Sequence, residues 1–558
     1  MNAHSPIRRR PMTEAVDALV VGGGPTGLTM AGELARRGLA VRIVDKALEP
    51  PPDHSRALVV QTRTMEIFTS MGIADAAMAR ATRVGGLNVL LSNGQRARLP
   101  IFDFPELSTP VPGIFVIQQF DTERVLGSRL SELGVTVERG AELASYTQDS
   151  AGVTCTLRRV DGNTEVVRAK WLLGCDGARS AVRQGVDIAF EGDTYDDHCM
   201  LGDLVIDWPL PDGDIYISPS RRGLAAAFPV PGSHRFRIVL ILPEASPARG
   251  ASLSLEVFEG VMRSMIPTPF KIQKAIVLSR YRLHHRVATR LRKGRVFLAG
   301  DAAHIHSPAG GQGMNTGIQD AYNLAWKLAA VEQGRMPAWL LDTYEMERLP
   351  VARRLIDFTD RLFGLMAGHG LMGRALRIVA PRLMIRAIGV AAVQRRILGF
   401  ISQLKIRYRK SPLSIQIGHP PERGPRAGDR APDASLLSAA GQQVHLFELM
   451  RGVESTLLLF AGPPGPPHAS ANTEAHRHAR RLAAELGRPD LKVLVISAPE
   501  AGGYADPDGR AHAAYGVEAA AAVLVRPDGY VGVRCDPLDE RELRQALDRL
   551  FTRRADAA

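Results

Sequence analysis

Apolar positions along the first fifty residues change spacing twice. Ala18 to Val21 is a continuous apolar run of strand type. Leu28 to Arg37 instead carries apolar residues at helical spacing, and Gly38 stands where such a helix ends. Ala40 to Val44 returns to a strand run and closes on Asp45. The pattern predicts a β-α-β unit of about thirty residues. A helix is predicted from Arg63 to Ser70, closed by Gly72. Residues 82–104 and 190–284 read as β structure, with short apolar runs broken by polar residues, as in Leu224 to Val230 and Phe236 to Ile241. They are expected to form one sheet interleaved with the first unit. Residues 295–330 return to strand, Gly-rich loop and helix, and 337–415 read as helical and Arg-rich. A Pro-, Gly- and Arg-rich stretch from His419 to Asp429 reads as a linker. Beyond it, runs at Ser455 to Phe460, Leu491 to Ile496 and Ala522 to Val525, with a turn at Pro527 to Gly529, predict a separate α/β module.

At 558 residues the chain is too long for one ordinary core, so two or three domains are expected. A hydrophobic share of 45% and a charged share of 23% suit a globular protein with room to enclose a cofactor. The net charge of +12 is spread along the chain, without stacked aromatics beside the basic residues, which argues against nucleic-acid binding. The four cysteines, Cys155, Cys175, Cys199 and Cys535, include no C-x-x-C pair and have no His cluster beside them. That argues against a zinc site or a thioredoxin-type redox pair. So few cysteines fit a reducing cytoplasm, the expected location. Arg8, Arg9 and Arg10 read as part of a tail and not as a signal peptide. No apolar run reaches the roughly 18 residues of a transmembrane segment.

The first candidate chemistry is Gly22-x-Gly24-x-x-Gly27, between a predicted strand and a predicted helix. A tight turn without side chains lets a pyrophosphate touch the backbone, and the helix start offers free N–H groups and the positive end of its dipole. Asp45 closes the second strand about twenty residues on, where a carboxylate can accept from ribose hydroxyls. Together these predict dinucleotide binding without choosing between FAD and a nicotinamide cofactor. A second strand, Arg295 to Ala299, delivers Gly300 and Asp301, and Ser307 to Asn315 lead into another helix. Its amino terminus would favour an electron-rich group such as a reduced isoalloxazine. Asp301, His304 and His306 lack a third ligand of suitable spacing, so no metal is expected.

These residues carry a family resemblance. Over about residues 15–415 the chain resembles the class A flavoprotein monooxygenases, the p-hydroxybenzoate hydroxylase-like aromatic hydroxylases. The match includes the first Gly motif, Cys175 to Ser180 with Arg183, and Gly300 to Asn315. Lesser matches are Ser55-Arg56-Ala57, Arg63 to Glu66, Gln119 to Glu123, and Tyr344-Glu-x-Glu-Arg348-x-Pro. The C-terminal extension is similar to the thioredoxin-like tail of the phenol and polyketide hydroxylase branches. The resemblance implies an α/β fold: a Rossmann-like FAD-binding domain interleaved with a β-sheet substrate domain, plus a C-terminal thioredoxin-like α/β domain without C-x-x-C. The FAD-binding parts would be 15–81, 105–189 and 285–415, the last with a helical region. The substrate parts would be 82–104 and 190–284, followed by a linker at 416–430 and the tail at 431–558.

The resemblance also implies roles. Asp45 would bind the adenosine ribose, and Gly22, Gly24 and Gly27 would admit the pyrophosphate. Arg56 and Gln119 would contact FAD near its phosphates and ribityl chain, and Asp301 would hold the ribityl or pyrophosphate. Asp176 and Gly177 would serve both FAD and a transient NAD(P)H, with Arg179 favouring the latter. Pro308 would sit at the reacting edge of the flavin, and Gly311, Gly313, Met314 and Asn315 would hold the ring's pyrimidine edge through backbone N–H groups. Pro308 and Arg56 are the expected catalytic positions. The implied reaction is hydroxylation of a phenolic or polycyclic aromatic substrate through a flavin C4a-hydroperoxide, using NAD(P)H and O2. Tyr195, His198, Tyr216, His234, Arg235 and Arg237 are candidates to touch substrate. The tail is expected to stabilise the fold or support a homodimer. Three alternatives stay open: another outcome on the same scaffold (epoxidation, dechlorination or Baeyer–Villiger insertion), a geranylgeranyl-reductase-like flavoprotein, and a non-catalytic flavin-binding protein.

Overall fold

The computed structural model describes residues 15–49, 57–91, 93–101, 108–220, 222–242, 252–305, 311–367, 390–462, 470–497 and 503–551. The apolar run at the start becomes strand β1 (Val16–Val21), and helix α1 (Pro25–Arg36) and strand β2 (Val41–Asp45) follow. Helix α1 starts earlier than its apolar spacing suggests, because Pro25 occupies its first turn, where a missing N–H costs nothing. Helix α2 (Thr62–Met71) ends on Gly72 in the left-handed region, as expected. A hairpin, β3 (Gly86–Leu90) and β4 (Arg96–Pro100), precedes helix α3 (Gln119–Glu132) and strand β5 (Val137–Arg139). Strand β6 (Thr164–Gly174) then leads to the long strand β7 (Phe190–Asp207). Strands β8 (Ile215–Ser220), β9 (Gly223–Pro229) and β10 (Arg235–Leu242) precede helix α4 (Leu255–Met265) and the long strand β11 (Lys271–Ala288). Strand β12 (Val296–Leu298), helix α5 (Gly313–Glu332) and helix α6 (Asp342–Ala367) complete this half.

Two sheets interleave. In the first, β12, β6, β1, β2 and β5 lie side by side and all parallel, so their carboxyl ends share one edge. Its central positions, Ala18 to Val21, Ile43, Val44, Leu172, Leu173 and Val296 to Leu298, are apolar and buried, as a sheet covered on both faces requires. In the second, β11, β7, β10, β9, β8, β3 and β4 are neighbours, so the hairpin near residue 90 joins strands more than a hundred residues later. Along β10, Phe236, Ile238, Leu240 and Leu242 pack with α4, while Val239 and Ile241 face the other way with Cys199, Leu224 and Tyr281. A two-residue strand, His304–Ile305, joins the second sheet to the loop that follows β12.

The C-terminal part forms its own sheet. Strand β13 (Ile415–Gly418) pairs with the later β17 (Val531–Asp536), so the start of the expected linker is a strand. Strand β14 (Ser455–Ala461), helix α7 (Ser470–Leu486) and strand β15 (Leu491–Ser497) make a parallel unit. Strand β16 (Ala520–Val525) and β17 form an antiparallel hairpin, and helix α8 (Glu540–Phe551) follows. The order β17, β16, β14, β15 is thioredoxin-like. The buried Cys535 lies on β17 and accepts from the Asp539 N–H at 3.1 Å. Among the described residues, no helix is long and apolar enough to cross a membrane.

Candidate functional site

Strand β1 has β2 on one side and β6 on the other, so the chain reverses its direction of growth there, and a crevice forms at the carboxyl edge. Three glycines line it for different reasons. Gly22 has φ +109°, and a Cβ there would lie 2.2 Å from the Cys175 carbonyl oxygen. A Cβ on Gly27 would lie 1.8 Å from the Gly22 carbonyl. Both are compelled by the protein's own packing. A Cβ on Gly24 would meet no protein atom within 4 Å, and its φ of −81° suits any residue. Glycine there keeps open the surface before α1, which is what a pyrophosphate needs. The first intrahelical bond runs from the Leu28 N–H to the Gly24 carbonyl (2.9 Å), so the N–H groups of Thr26 and Gly27 precede it.

One end of the crevice is polar. Asp45 Oδ2 accepts from the Gly23 N–H at 2.6 Å, and its Oδ1 accepts from the Ala47 N–H at 2.8 Å. Arg139, opposite Asp45 on β5, brings Nη1 to 3.5 Å of Oδ2. Gln119 opens α3 and donates to Glu123 at 2.8 Å, while its Oε1 accepts from the Ala57 N–H at 3.4 Å. Burial pushes the Glu123 carboxyl above its ordinary range, against the Gln119 amide and the Arg139 charge. Arg139 escapes a motif search because β5 carries no signature of its own.

After β6, the Asp176 carboxylate is used within its own turn. It accepts from the Ser180 hydroxyl at 2.5 Å and from the Val182 N–H at 3.2 Å. Burial raises its affinity for a proton. Gly177 has φ +79° and Arg179 is exposed. Arg183 donates to the carbonyls of Ala302 (2.8 Å) and Ala178 (3.0 Å) and lies over the Phe190 ring at 3.8 Å, tying this turn to the one after β12.

The turns around α1 and α5 interlock on Thr26. Cβ atoms on Gly300 and Gly317 would lie 2.5 and 2.3 Å from the Thr26 hydroxyl. Asp301, next to Gly300, is exposed. Gly311 has φ +61° and sits against Val59. The Asn315 side chain staples this turn down: Oδ1 accepts from the Gln61 N–H (3.0 Å), and Nδ2 donates to the carbonyls of Val59 (2.7 Å) and Gly311 (2.8 Å). Met314 packs against the core. The N–H groups of Gly313, Met314 and Asn315 precede the bond from Thr316 N to Gln312 O, so they point out of the helix start. Beneath them, Asp320 accepts from His304 (2.7 Å), Arg348 (2.6 Å) and the Gly300 N–H (3.1 Å). Burial alone would raise the Asp320 carboxyl, but Arg348 and His304 outweigh it and hold it below its ordinary range. Asp320 carries no sequence signal, because its partners are distant along the chain.

Arg56 and Pro308 lie outside the described residues, as do the side chains of Tyr195 and His198 on β7. Three of the remaining substrate candidates, Tyr216, His234 and Arg235, lie away from this crevice. Tyr216 packs on Trp208 (5.3 Å between ring centroids) on the α4 side and donates to the Pro211 carbonyl at 2.8 Å. His234 is exposed in a turn beside Asp212, and Arg235 neighbours it at the far end of β10. Arg237 is buried in a two-bonded pair with Asp203 (2.5 and 2.6 Å) on the sheet face turned away from α4.

A crevice at the carboxyl edge of a parallel sheet, flanked by two helix starts, defines the class of proteins that bind an extended dinucleotide. Residues 15–359 match the FAD binding domain family, and 424–553 match the aromatic-ring hydroxylase C-terminal family. The 6-methylpretetramide 4-monooxygenase of Streptomyces rimosus is 34% identical over 94% of this chain and 91% of its own. The pentachlorophenol 4-monooxygenase of Sphingobium chlorophenolicum is 34% identical over 98% and 99%. The solved structure of aklavinone-11 hydroxylase with FAD and aklavinone superposes with a TM-score of 0.74, at 28% identity, covering 97% of this chain and 100% of that one. The chain therefore belongs to the FAD-dependent aromatic-ring hydroxylases and is a flavoprotein monooxygenase.

Proposed function

We propose that this monooxygenase hydroxylates an electron-rich ring of a phenolic or polycyclic aromatic compound, with NAD(P)H and O2 as co-substrates. The observation that carries the reading is the pair of helix starts, α1 and α5, locked around Thr26 at the carboxyl edge of the first sheet. The open surface at Gly24, between Gly22 and Gly27, takes the pyrophosphate, and Asp45 takes the adenosine ribose. Gln119 contacts the phosphates and ribityl chain, which Asp301 also holds, and the family resemblance assigns Arg56 the same role. Asp176 and Gly177 shape the groove that FAD and NAD(P)H share, with the exposed Arg179 beside the nicotinamide cofactor. Gly311, Gly313, Met314 and Asn315 present backbone N–H groups to the ring, and the family resemblance assigns Pro308 to its reacting edge. Bound FAD supplies electron transfer from NAD(P)H and the activation of dioxygen. The chain's own work is to bind, orient and exclude water. The division into flavin, substrate and thioredoxin-like parts is the one drawn from the sequence, except that the last part begins at β13, and that part supports a homodimer.

The relatives are named for 6-methylpretetramide and pentachlorophenol, which supports a phenolic or polycyclic aromatic substrate. They disfavour the reductase alternative. The test follows NAD(P)H oxidation and oxygen uptake by the FAD-loaded protein across halogenated phenols and polycyclic phenols, with product mass. Acceleration by one class with gain of one oxygen atom is expected. Reduction of a substrate without oxygen uptake would overturn the reading.

A further inference from the structure

The C-terminal sheet meets the flavin-binding half through buried charges. Arg526, just beyond β16, donates to both oxygens of Glu347 (2.7 and 2.9 Å) and to Asp528 (3.0 Å). Glu347, on α6, also accepts from Lys327 (2.7 Å), Asn323 (2.8 Å) and Ser411 (2.6 Å). Asp528 accepts from Asn323 at 3.0 Å. Asn323 and Lys327 both stand on α5. A second path leaves the same turn: the Tyr530 ring lies 4.3 Å from the Tyr408 ring, whose hydroxyl accepts from Arg348 at 2.8 Å. Arg348 then donates to the Thr316 carbonyl (3.1 Å) in the first turn of α5 and to Asp320 (2.6 Å) in the second.

Such a network is a poor source of stability. Two cations and two carboxylates lose their water, and well-packed apolar residues do as well or better, whereas removing one member leaves a partner stranded. What it fixes is register. A helix is stiff, and Asn323 stands eight residues beyond Asn315, about 12 Å of rise. Pinning the middle of α5 therefore sets where its first turn stands.

We propose that the C-terminal module positions the cofactor without touching it: Arg526, through Glu347, Asn323 and Lys327, and Tyr530, through Tyr408 and Arg348, hold α5 so that its first turn meets the flavin ring. The proposal rests on assigning residues 311–315 to that ring. It makes Arg526 and Tyr530 positioning residues.

The test titrates FAD into full-length apoprotein, reading flavin fluorescence and the visible absorption band, for wild type, Arg526→Gln, Asp528→Asn and Arg526→Lys. Arg526→Gln and Asp528→Asn are expected to weaken FAD binding at least tenfold and to shift the absorption band, and Arg526→Lys to recover part of both. An interface that served stability alone would lower the melting temperature and leave the band of bound flavin in place. FAD affinity within twofold of wild type and an unmoved band, in both neutralising variants, would overturn the proposal. If Arg526→Gln does not fold, Asp528→Asn decides by the same criteria. Gly311→Val tests the underlying assignment separately: normal FAD binding there removes the ring from residues 311–315, whatever Arg526 does.

Discussion

Gly24→Ala separates binding from folding, because the structure gives that glycine no internal reason to exist. Its φ of −81° and ψ of −176° are open to alanine, and the added methyl would meet no protein atom within 4 Å. The apoprotein should therefore change by no more than about 0.5 kcal/mol, as for a substitution on a surface. The same methyl stands where an anion must approach the N–H groups ahead of α1. Losing one hydrogen bond to a charged phosphate costs about 1.5–3 kcal/mol. At 1.4 kcal/mol per tenfold, FAD affinity should fall roughly 10- to 150-fold. Gly27→Ala is the contrast, since its Cβ would lie 1.8 Å from the Gly22 carbonyl and the turn itself must break. Thermal unfolding of the apoproteins and fluorescence titration with FAD read the two effects separately. A Gly24→Ala protein that binds FAD like wild type, or whose apo form melts as early as Gly27→Ala, refutes the reasoning.

Two further outcomes follow from buried side chains. Asn315→Ala strands the Gln61 N–H and frees the Gly311 turn, so the apoprotein should lose about 1–3 kcal/mol and FAD should restore little of it. Thermal shift with and without FAD checks this, and an unchanged melting temperature contradicts the staple. Burial, against the pull of Glu347, lowers Lys327 to about 8, below the roughly 10.4 of a solvated lysine. Between those values the unfolded chain binds more protons than the folded one, so this residue's contribution to stability rises with pH across the window. Denaturation midpoints of wild type relative to Lys327→Met should climb from pH 8 to about 10.4, and a flat difference would contradict the shift.

What the sequence made legible is what acts locally. The β1–α1–β2 unit, the glycine that ends α2 and the strand character of β10 depend on neighbours a few residues away, and apolar spacing reports them. The candidate cofactor positions clustered in motifs for the same reason: a turn against a phosphate needs consecutive small residues. Partners joined through space left no trace. Asp320 gathers Gly300, His304 and Arg348, Arg526 reaches Glu347, and Arg139 meets Asp45 only because β5 pairs with β2. The motif positions also hid a division of labour. Asn315 reads as a ligand contact, but its side chain is consumed in holding backbone, and Asp176 spends its carboxylate on Ser180 and Val182. Tyr216 faces α4 because a strand sends successive side chains to opposite sides, and the sequence did not reveal which side the helix would cover.

That same alternation gives β7 and β10 two independent addresses. Phe236, Ile238, Leu240 and Met200 keep the packing with α4, while Cys199, Val239 and Ile241 look the other way. Mutation can therefore rewrite one surface at every second position and leave the opposite surface untouched. A lineage built on these strands can change the surface away from α4 without disturbing the packing that holds the sheet to that helix. Insertion of a single residue removes that freedom, because a one-residue slip exchanges the two surfaces along the whole strand.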